Sequence, residues 1–420
     1  MYQLLLNRLS PFKHQNFRRF FFVQTLSLTG SWAADLARAW IILSMMESAT
    51  ALGGLLLATA LPGLFLILHG GVLVDRIDVR RLMMGTKFLL GLIALGLAAM
   101  VQFGHVQYWH LLVFALMEGV VNAFDSPAYQ ALTVRLVPRQ DFQQALALNS
   151  TNFHFSRMMG PAMAGLLMTM HGPSTVFLFD GLTYLGLTLV LGTINLEHAK
   201  RRSSEIASGQ WNALVAGIRH MTHTPRLRYK VLQLLATIIL MFPLLTVVFR
   251  TFLKAKFNLD AQTFGLVFTL PSLGSMTGAL SFAVIQPKVP IRALLVGIPG
   301  AAATTFLVPH MPTPMSAAWV MALAGFFMYL TFASITVSLQ LEVEERFRGR
   351  VGSVIGLCFV SLGPLMGLPI GSLADTLGFE PSIHLLTSIF VVVSAIIAYL
   401  HRHSMRHPVL SHGESHRNKL

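Results

Sequence analysis

Charge is what this sequence has least of. Only 11% of its 420 residues are Asp, Glu, Lys or Arg, against about 25% in an ordinary globular domain. With 54% hydrophobic residues and a mean hydropathy of +0.64, the chain has more apolar surface than a soluble fold can hide. That excludes a water-soluble enzyme, a disordered scaffold and a nucleic-acid binder. Cysteine is nearly absent as well. Cys358 stands alone, so neither a disulfide framework nor a cysteine-based metal site can form. No glycine-rich phosphate loop follows a strand, and no nucleophile, base and orienting group stand together. The chain is therefore expected to be no enzyme and to hold no cofactor. His401, His403, His407, His412 and His416 crowd the tail, but without regular spacing or supporting carboxylates they read as a solvated segment and not as a metal site.

What is present is a series of long apolar runs. A membrane-spanning helix needs about 20 mostly apolar residues. Such runs lie at 20–42, 49–74, 82–103, 108–135, 143–169 and 174–194, and again at 230–252, 262–284, 292–309, 315–339, 351–373 and 382–401. The expectation is an all-α membrane protein with twelve transmembrane helices in two groups of six. The basic residues set its orientation. Arg8, Lys13, Arg18 and Arg19 precede the first run, and Arg76, Arg80 and Arg81 follow the second. Lys200, Arg201, Arg202, Arg219, Arg226, Arg228 and Lys230 lie between the sixth and seventh, Arg346, Arg348 and Arg350 follow the tenth, and Arg402, Arg406, Arg417 and Lys419 end the chain. The intervening loops carry little beyond Arg250, Lys254 and Lys256. By the positive-inside rule both termini face the cytoplasm, which also accounts for the net charge of +14.

The longest polar stretch between runs divides the chain near its middle. The units are 1–194, a linker at 195–229, 230–401 and a His-rich tail at 402–420. Trp211, Leu214, Val215 and Ile218 recur at helical spacing in the linker, as in a helix lying on the membrane surface. The halves echo each other: Gly160-Pro161 in the fifth run answers Gly363-Pro364 in the eleventh, each about twenty residues after a charged turn. Two six-helix repeats with a substrate path between them are a common transporter architecture.

Residues 71–82 read Gly71-Val-Leu-Val-Asp75-Arg76-Ile-Asp78-Val-Arg80-Arg81-Leu. They resemble the signature G-x-L-a-D-r-x-G-r-r-x-x-l of the major facilitator superfamily, with Asp78 in place of the second glycine and Val79 in place of a basic residue. In that superfamily the acid and the bases tie helices at the cytoplasmic gate. Ser156-Arg157-Met-Met-Gly160-Pro161-Ala-Met-Ala164-Gly165 is similar to its antiporter motif, which is commoner in exporters. The small residues let a neighbouring helix approach, and the proline bends its own. The stretches 123–131, 136–138 and 145–150, with Arg348-Gly-Arg350-Val before Gly363-Pro364, resemble the branch that contains the enterobactin exporter and the transmembrane secretion effectors. That resemblance implies the major facilitator fold and small-molecule export across a bacterial inner membrane. Tyr129 stands where relatives often have Arg.

Charges inside the runs are the strongest purely physical signal, because a charge at the bilayer centre costs about 2.5–3.5 kcal/mol on insertion scales. Glu118, Asn122 and Asp125 share one helical face. Glu118 lies roughly 16 Å into its run at 1.5 Å per residue, near the middle. It is the first candidate for a proton carrier, or else a glutamate neutralised by Arg157. Asp125 either serves transport or pairs with Arg76, Arg80 or Arg81. In the first run Asp35 and Arg38 lie one turn apart, as a pair within the helix, an outer gate or a substrate contact. Arg157 either neutralises a carboxylate or attracts an anionic substrate. Asp180 reads as structural, near the outer surface. Tyr329, Thr331 and Ser334 offer hydroxyls to a cavity, and 30 Phe and 21 Met offer an adaptable apolar wall. The expected function is proton-coupled export, by a monomer, of a small amphipathic, siderophore-like metabolite. Broad drug efflux and lysophospholipid translocation are the alternatives.

Overall fold

The computed structural model describes residues 9–194, 218–219, 221–222, 224–285 and 290–406. All but Ile218 of the amphipathic helix expected at 211–218, and most of the His-rich tail, lie outside the described residues. In the first half the helices are α1 (Gln15–Met46), α2 (Ala49–Arg76), α3 (Val79–Gln102), α4 (Tyr108–Arg135), α5 (Phe142–His171) and α6 (Ser174–Thr193). In the second, α7 runs from Pro225–Ala236 through π turns at Thr237–Met241 and Leu244–Val248 into Phe249–Phe257. It is followed by α8 (Ala261–Ile285), α9 (Leu294–Leu307) and α10 (Pro314–Glu342). Next, α11 comprises Glu345–Leu357, a π turn at Cys358–Leu362, Gly363–Leu365 and Gly367–Leu377, and α12 is Phe379–Arg406. Among the described residues eight helical stretches are long and apolar enough to cross a membrane, and the apolar helix at Leu294–His310 is shorter. α1, α5 and α11 are not among the eight: polar residues of the site described below interrupt α1 and α5, and α11 begins with Glu345, Arg346 and Arg348 and is broken at Met366.

Local chemistry sets the helix ends. Ser48 caps α2 by accepting from the N–H of Ala51 at 3.1 Å, and Thr313 and Ser316 form a capping box at the start of α10. Asp78 caps α3, its carboxylate accepting from the N–H of Arg81 at 2.9 Å. That gives a physical role to the aspartate that replaces a glycine of the superfamily signature. Gly172 (φ 87°) and Gly378 (φ 90°) end helices in a region of backbone space that side chains disfavour.

Three apolar cores hold the bundle. One lies at the end of the molecule that carries the α1–α2 turn, here the Ser48 end, and draws residues from both halves: Leu36, Ile42, Leu52 and Phe177 with Val247, Phe249, Phe264 and Ile370. At the opposite end, the Arg80 end, the halves have separate cores. Phe17, Phe20, Met83 and Leu132 belong to one, and Leu227, Ile335, Leu339 and Val351 to the other. The halves are therefore fused at the Ser48 end and packed independently at the Arg80 end.

Glycine makes the fusion close. A Cβ on Gly53 of α2 would lie 2.5 Å from the carbonyl carbon of Gly367 in α11, and one on Gly371 would lie 2.7 Å from that of Ala49. A Cβ on Gly265 of α8 would lie 2.6 Å from the carbonyl oxygen of Pro161 in α5. Two seams, α2 with α11 and α5 with α8, thus bring backbone against backbone.

Candidate functional site

Below the fused end, a cavity of about 460 Å³ lies among α1 to α6, its charged side chains coming from α1, α3, α4 and α6. It adjoins two compartments between the halves, of about 190 and 310 Å³. Trp32, Asp35 and Phe153 are common walls of the polar cavity and the first compartment, while Arg157, Phe242 and Phe359 line both interhalf compartments.

Four carboxylates and four Arg or Lys side chains line this space among the described residues, and three pairs account for six of them. Arg38 contacts Glu118, with both side chains about nine-tenths buried. Lys87 Nζ lies 2.8 Å from Asp125, which also accepts from the Thr86 hydroxyl at 2.7 Å. Arg250 of α7 reaches across to Asp35 of α1 at 3.0 Å. Asp180 and Arg157 are left. Among the described residues Asp180, 3% exposed, accepts only from the Ser31 hydroxyl at 3.4 Å and has no cation in ion-pair distance. Arg157 has neither ion pair nor hydrogen bond among the described residues, and its guanidinium sits 5.5 Å over the Trp32 ring.

The pairing departs from the sequence reading in several ways. Asp35 and Arg38 do not pair with each other. Three residues along a helix turn side chains about 60° apart, and that offset sends Arg38 to α4 and Asp35 to α7. Glu118 is neutralised by Arg38 and not by Arg157. Asp125 is held by Lys87, and Arg80 instead donates to the carbonyls of Leu191 (2.6 Å) and Gly192 at the C-terminal end of α6. Arg250 is an inward-facing partner, not a loop charge, and Asp180 is in the interior. Asn122 lines the polar cavity beside Glu118 and Asp125. Lys87 carried a legible signal, a single lysine within the apolar run 82–103.

The second half supplies less chemistry than expected. Tyr329 lines the cavity, with its hydroxyl 3.4 Å from the His154 ring. Thr331 and Ser334 turn back to the carbonyls of Phe327 and Leu330 on their own helix. Gly363 leaves room for the Phe242 ring, and Pro364 follows the π turn of α11. In α5, Gly160 accommodates Trp32 of α1, and Gly165 faces Gly265 of α8. Pro161 lies inside α5 and lines the first interhalf compartment. Arg81 is exposed, and so is Arg348. The surroundings of Gly71 and the side chains of Asp75, Arg76 and Arg350 lie outside what the structure describes. Also at the Arg80 end, the Ser10 hydroxyl (2.5 Å) and the His14 ring (2.9 Å) bond to Asp141 and hold its carboxyl below the usual range.

At the Ser48 end Asp375 of α11 fastens the halves. It accepts from the Ser48 hydroxyl at 2.6 Å and from the N–H groups of Ala49 and Thr50, each at 2.9 Å. Replacing a capping acceptor by alanine costs about 1 kcal/mol. Asp375→Ala is therefore expected to loosen this end. A single cysteine introduced by Leu56→Cys, with Cys358→Ser, should react faster with an impermeant maleimide when Asp375 is alanine. An unchanged rate would show that the contact does not hold the end closed.

A multi-helix membrane protein with paired charges, whose chain halves share a core at one end and enclose cavities between them, has the build of a transporter. The match to known families agrees. The family model described as "Transmembrane secretion effector" matches residues 6–412, and the chain belongs to that family. It is 25% identical over 384 residues to the multidrug efflux pump Tap of Mycolicibacterium fortuitum, covering 89% of this chain and 92% of that one. It is 21% identical over 390 residues to the staphyloferrin A transporter of Staphylococcus aureus, covering 91% and 96%. It is 22% identical over 379 residues to the enterobactin exporter of Salmonella typhimurium, covering 87% and 89%. In fold it is similar to the crystal structure of the nucleoside transporter NupG, with a TM-score of 0.73 at 12% identity over 92% of this chain and 98% of that one. The protein is a multi-pass transporter of the major facilitator superfamily, not an enzyme.

Proposed function

We propose that the protein is a proton-coupled secondary exporter that carries a small amphipathic, siderophore-like metabolite out of the cytoplasm of a bacterium across the inner membrane. It acts as a monomer, with twelve spans in two six-helix repeats and both termini inside. The observation that carries this reading is the distribution of cores: one shared at the Ser48 end, two separate at the Arg80 end, with a charged cavity between. Halves that can part at either end are what alternating access requires. The positive-inside rule makes the Arg80 end cytoplasmic, so the described state accepts cargo from inside. The repeat is supported by packing: α2 with α4, α3 with α6 and α1 with α6 have counterparts in α8 with α10, α9 with α12 and α7 with α12. Units at 1–194, 195–229, 230–401 and 402–420 follow from that reading, with the superfamily signature and the Arg348–Pro364 segment as the inner gate.

For the proton, Glu118 and Asp35 act from within ion pairs, where protonation would release Arg38 or Arg250. Asp180 joins them as the one carboxylate of the site without a cation partner. Release of Arg250 from Asp35 frees a tie between the halves, and that couples protonation to conformation.

The test is mass spectrometry of secreted and retained metabolites in a deletion strain, with and without iron. The strain is complemented with wild type, Glu118→Gln, Asp35→Asn or Asp180→Asn. One iron-regulated chelator should accumulate inside and vanish outside, and wild type alone should restore its secretion. Full rescue by all three variants would remove the proton assignment and leave the exporter. An unchanged chelator profile would overturn the siderophore reading. Broad drug efflux, favoured by the likeness to Tap, would then show as sensitivity to unrelated toxic compounds, and lysophospholipid movement as altered lipid distribution.

A further inference from the structure

The interhalf space holds a guanidinium with no counter-charge among the described residues and flat apolar walls around it. Of the four basic side chains of the site, Arg38, Lys87 and Arg250 are each neutralised by a carboxylate, and Arg157 is not. An uncompensated cation away from water is costly, and protein interiors supply a counter-charge when the residue serves structure alone. Here no described residue supplies it. The Trp32 ring, centred 5.5 Å from the guanidinium carbon, does not cancel the charge. Phe153, Phe242 and Phe359 wall the space around it. Thr246 donates to the Phe242 carbonyl at 2.9 Å and Ser275 to the Pro271 carbonyl at 3.0 Å, while the Tyr329 hydroxyl lies 3.4 Å from the His154 ring. Arg157 is thus the basic group of this space without a carboxylate partner among the described residues, and it stands beside aromatic surface.

We infer that Arg157 is the anion-binding group of the cargo site, and that the cargo class is an organic anion with a flat apolar or aromatic body. Its carboxylate, or a comparable oxyanion, lies in the plane of the guanidinium above Trp32, and its apolar part lies among the phenylalanines. The missing counter-charge is thus supplied by the cargo. This rests on the exporter reading, because it assigns the interhalf space to cargo.

The experiment uses the full chain in nanodiscs of zwitterionic lipid and three probes of one shape: naphthalene-2-carboxylate, the neutral naphthalene-2-carboxamide and the cationic naphthalene-2-carboxamidine. Binding is followed by titration calorimetry. The carboxylate can form a bidentate ion pair with the guanidinium where the amide offers one neutral acceptor, so the carboxylate is expected to bind at least about tenfold more tightly than the amide. The amidine is expected to bind more weakly than either. Arg157→Gln should erase the preference for the carboxylate over the amide, and Arg157→Lys should keep part of it. Equal wild-type affinities for carboxylate and amide, no binding of the carboxylate, or a preference that survives in Arg157→Gln would each overturn the inference. Because binding is read without transport, a failed secretion experiment leaves this result standing, and the reverse holds too.

Discussion

Lys87→Met is expected to be among the most destabilising single substitutions in the first half. Lys87 and Asp125 are the most deeply buried ion pair of the site, with side chains 5% and 8% exposed. Methionine keeps the length and apolar character of the lysine stem, so packing is nearly preserved and the charge alone is lost. Asp125 would keep only the Thr86 hydroxyl. Removing one partner of a buried pair costs about 3–5 kcal/mol, because the other charge stays buried, whereas replacing both by apolar residues of similar volume is often neutral. The double substitution Lys87→Met with Asp125→Leu should therefore recover most of the loss. Thermal unfolding of the four proteins in one detergent, read as a double-mutant cycle, measures this. A loss below about 1 kcal/mol for Lys87→Met, the range of an exposed pair, would mean that water reaches the pair.

Gly53→Val should abolish transport without abolishing folding. Its Cβ would sit 2.5 Å from the carbonyl carbon of Gly367 and 2.7 Å from the Cα of Leu368. Both are backbone atoms, which cannot rotate away as a side chain does, so α2 and α11 must separate at the Ser48 end. Overpacking of this kind costs about 1–3 kcal/mol. The conformations of a two-state protein differ by only a few kcal/mol, so that cost reverses the population in place of unfolding the bundle. Cargo release into the medium should fall at least about tenfold, the factor that corresponds to 1.4 kcal/mol. Cysteine labelling should rise at the Ser48 end and fall in the cavity. Gly63→Ala in the same helix is the control, since nothing lies within 4 Å of a Cβ placed there. Normal release by Gly53→Val would show that the seam has slack.

The two predictions concern different kinds of information. The apolar runs are a local property. A stretch such as 108–135 must form a helix wherever lipid surrounds it, since no other conformation satisfies its backbone polar groups, and α4 covers the same residues. Caps are local too: Ser48 and Asp78 act on N–H groups three residues away. The membrane-transporter class and the helical elements were therefore legible, and so was the existence of a charged site, because a charge in an apolar run is conspicuous wherever it points. Partners were not. Arg38 is three residues from Asp35 and eighty from Glu118, yet it bonds to Glu118. Arg250 reaches Asp35 across the whole chain midpoint.

By itself the sequence determined an all-helical membrane transporter with Asp35, Arg38, Glu118, Asp125 and Arg157 in its interior. Only the tertiary structure decided which charges cancel and which do not. Pairing depends on how each helix is rotated and which neighbour it meets, and that in turn depends on seams such as Gly53 with Gly367, where two glycines far apart in the chain allow backbones to touch. An apolar run specifies that a helix forms, but its rotation about its own axis is a property of the packed bundle. That rotation leaves Arg157 unpaired beside Trp32 and Asp180 unpaired beside Ser31.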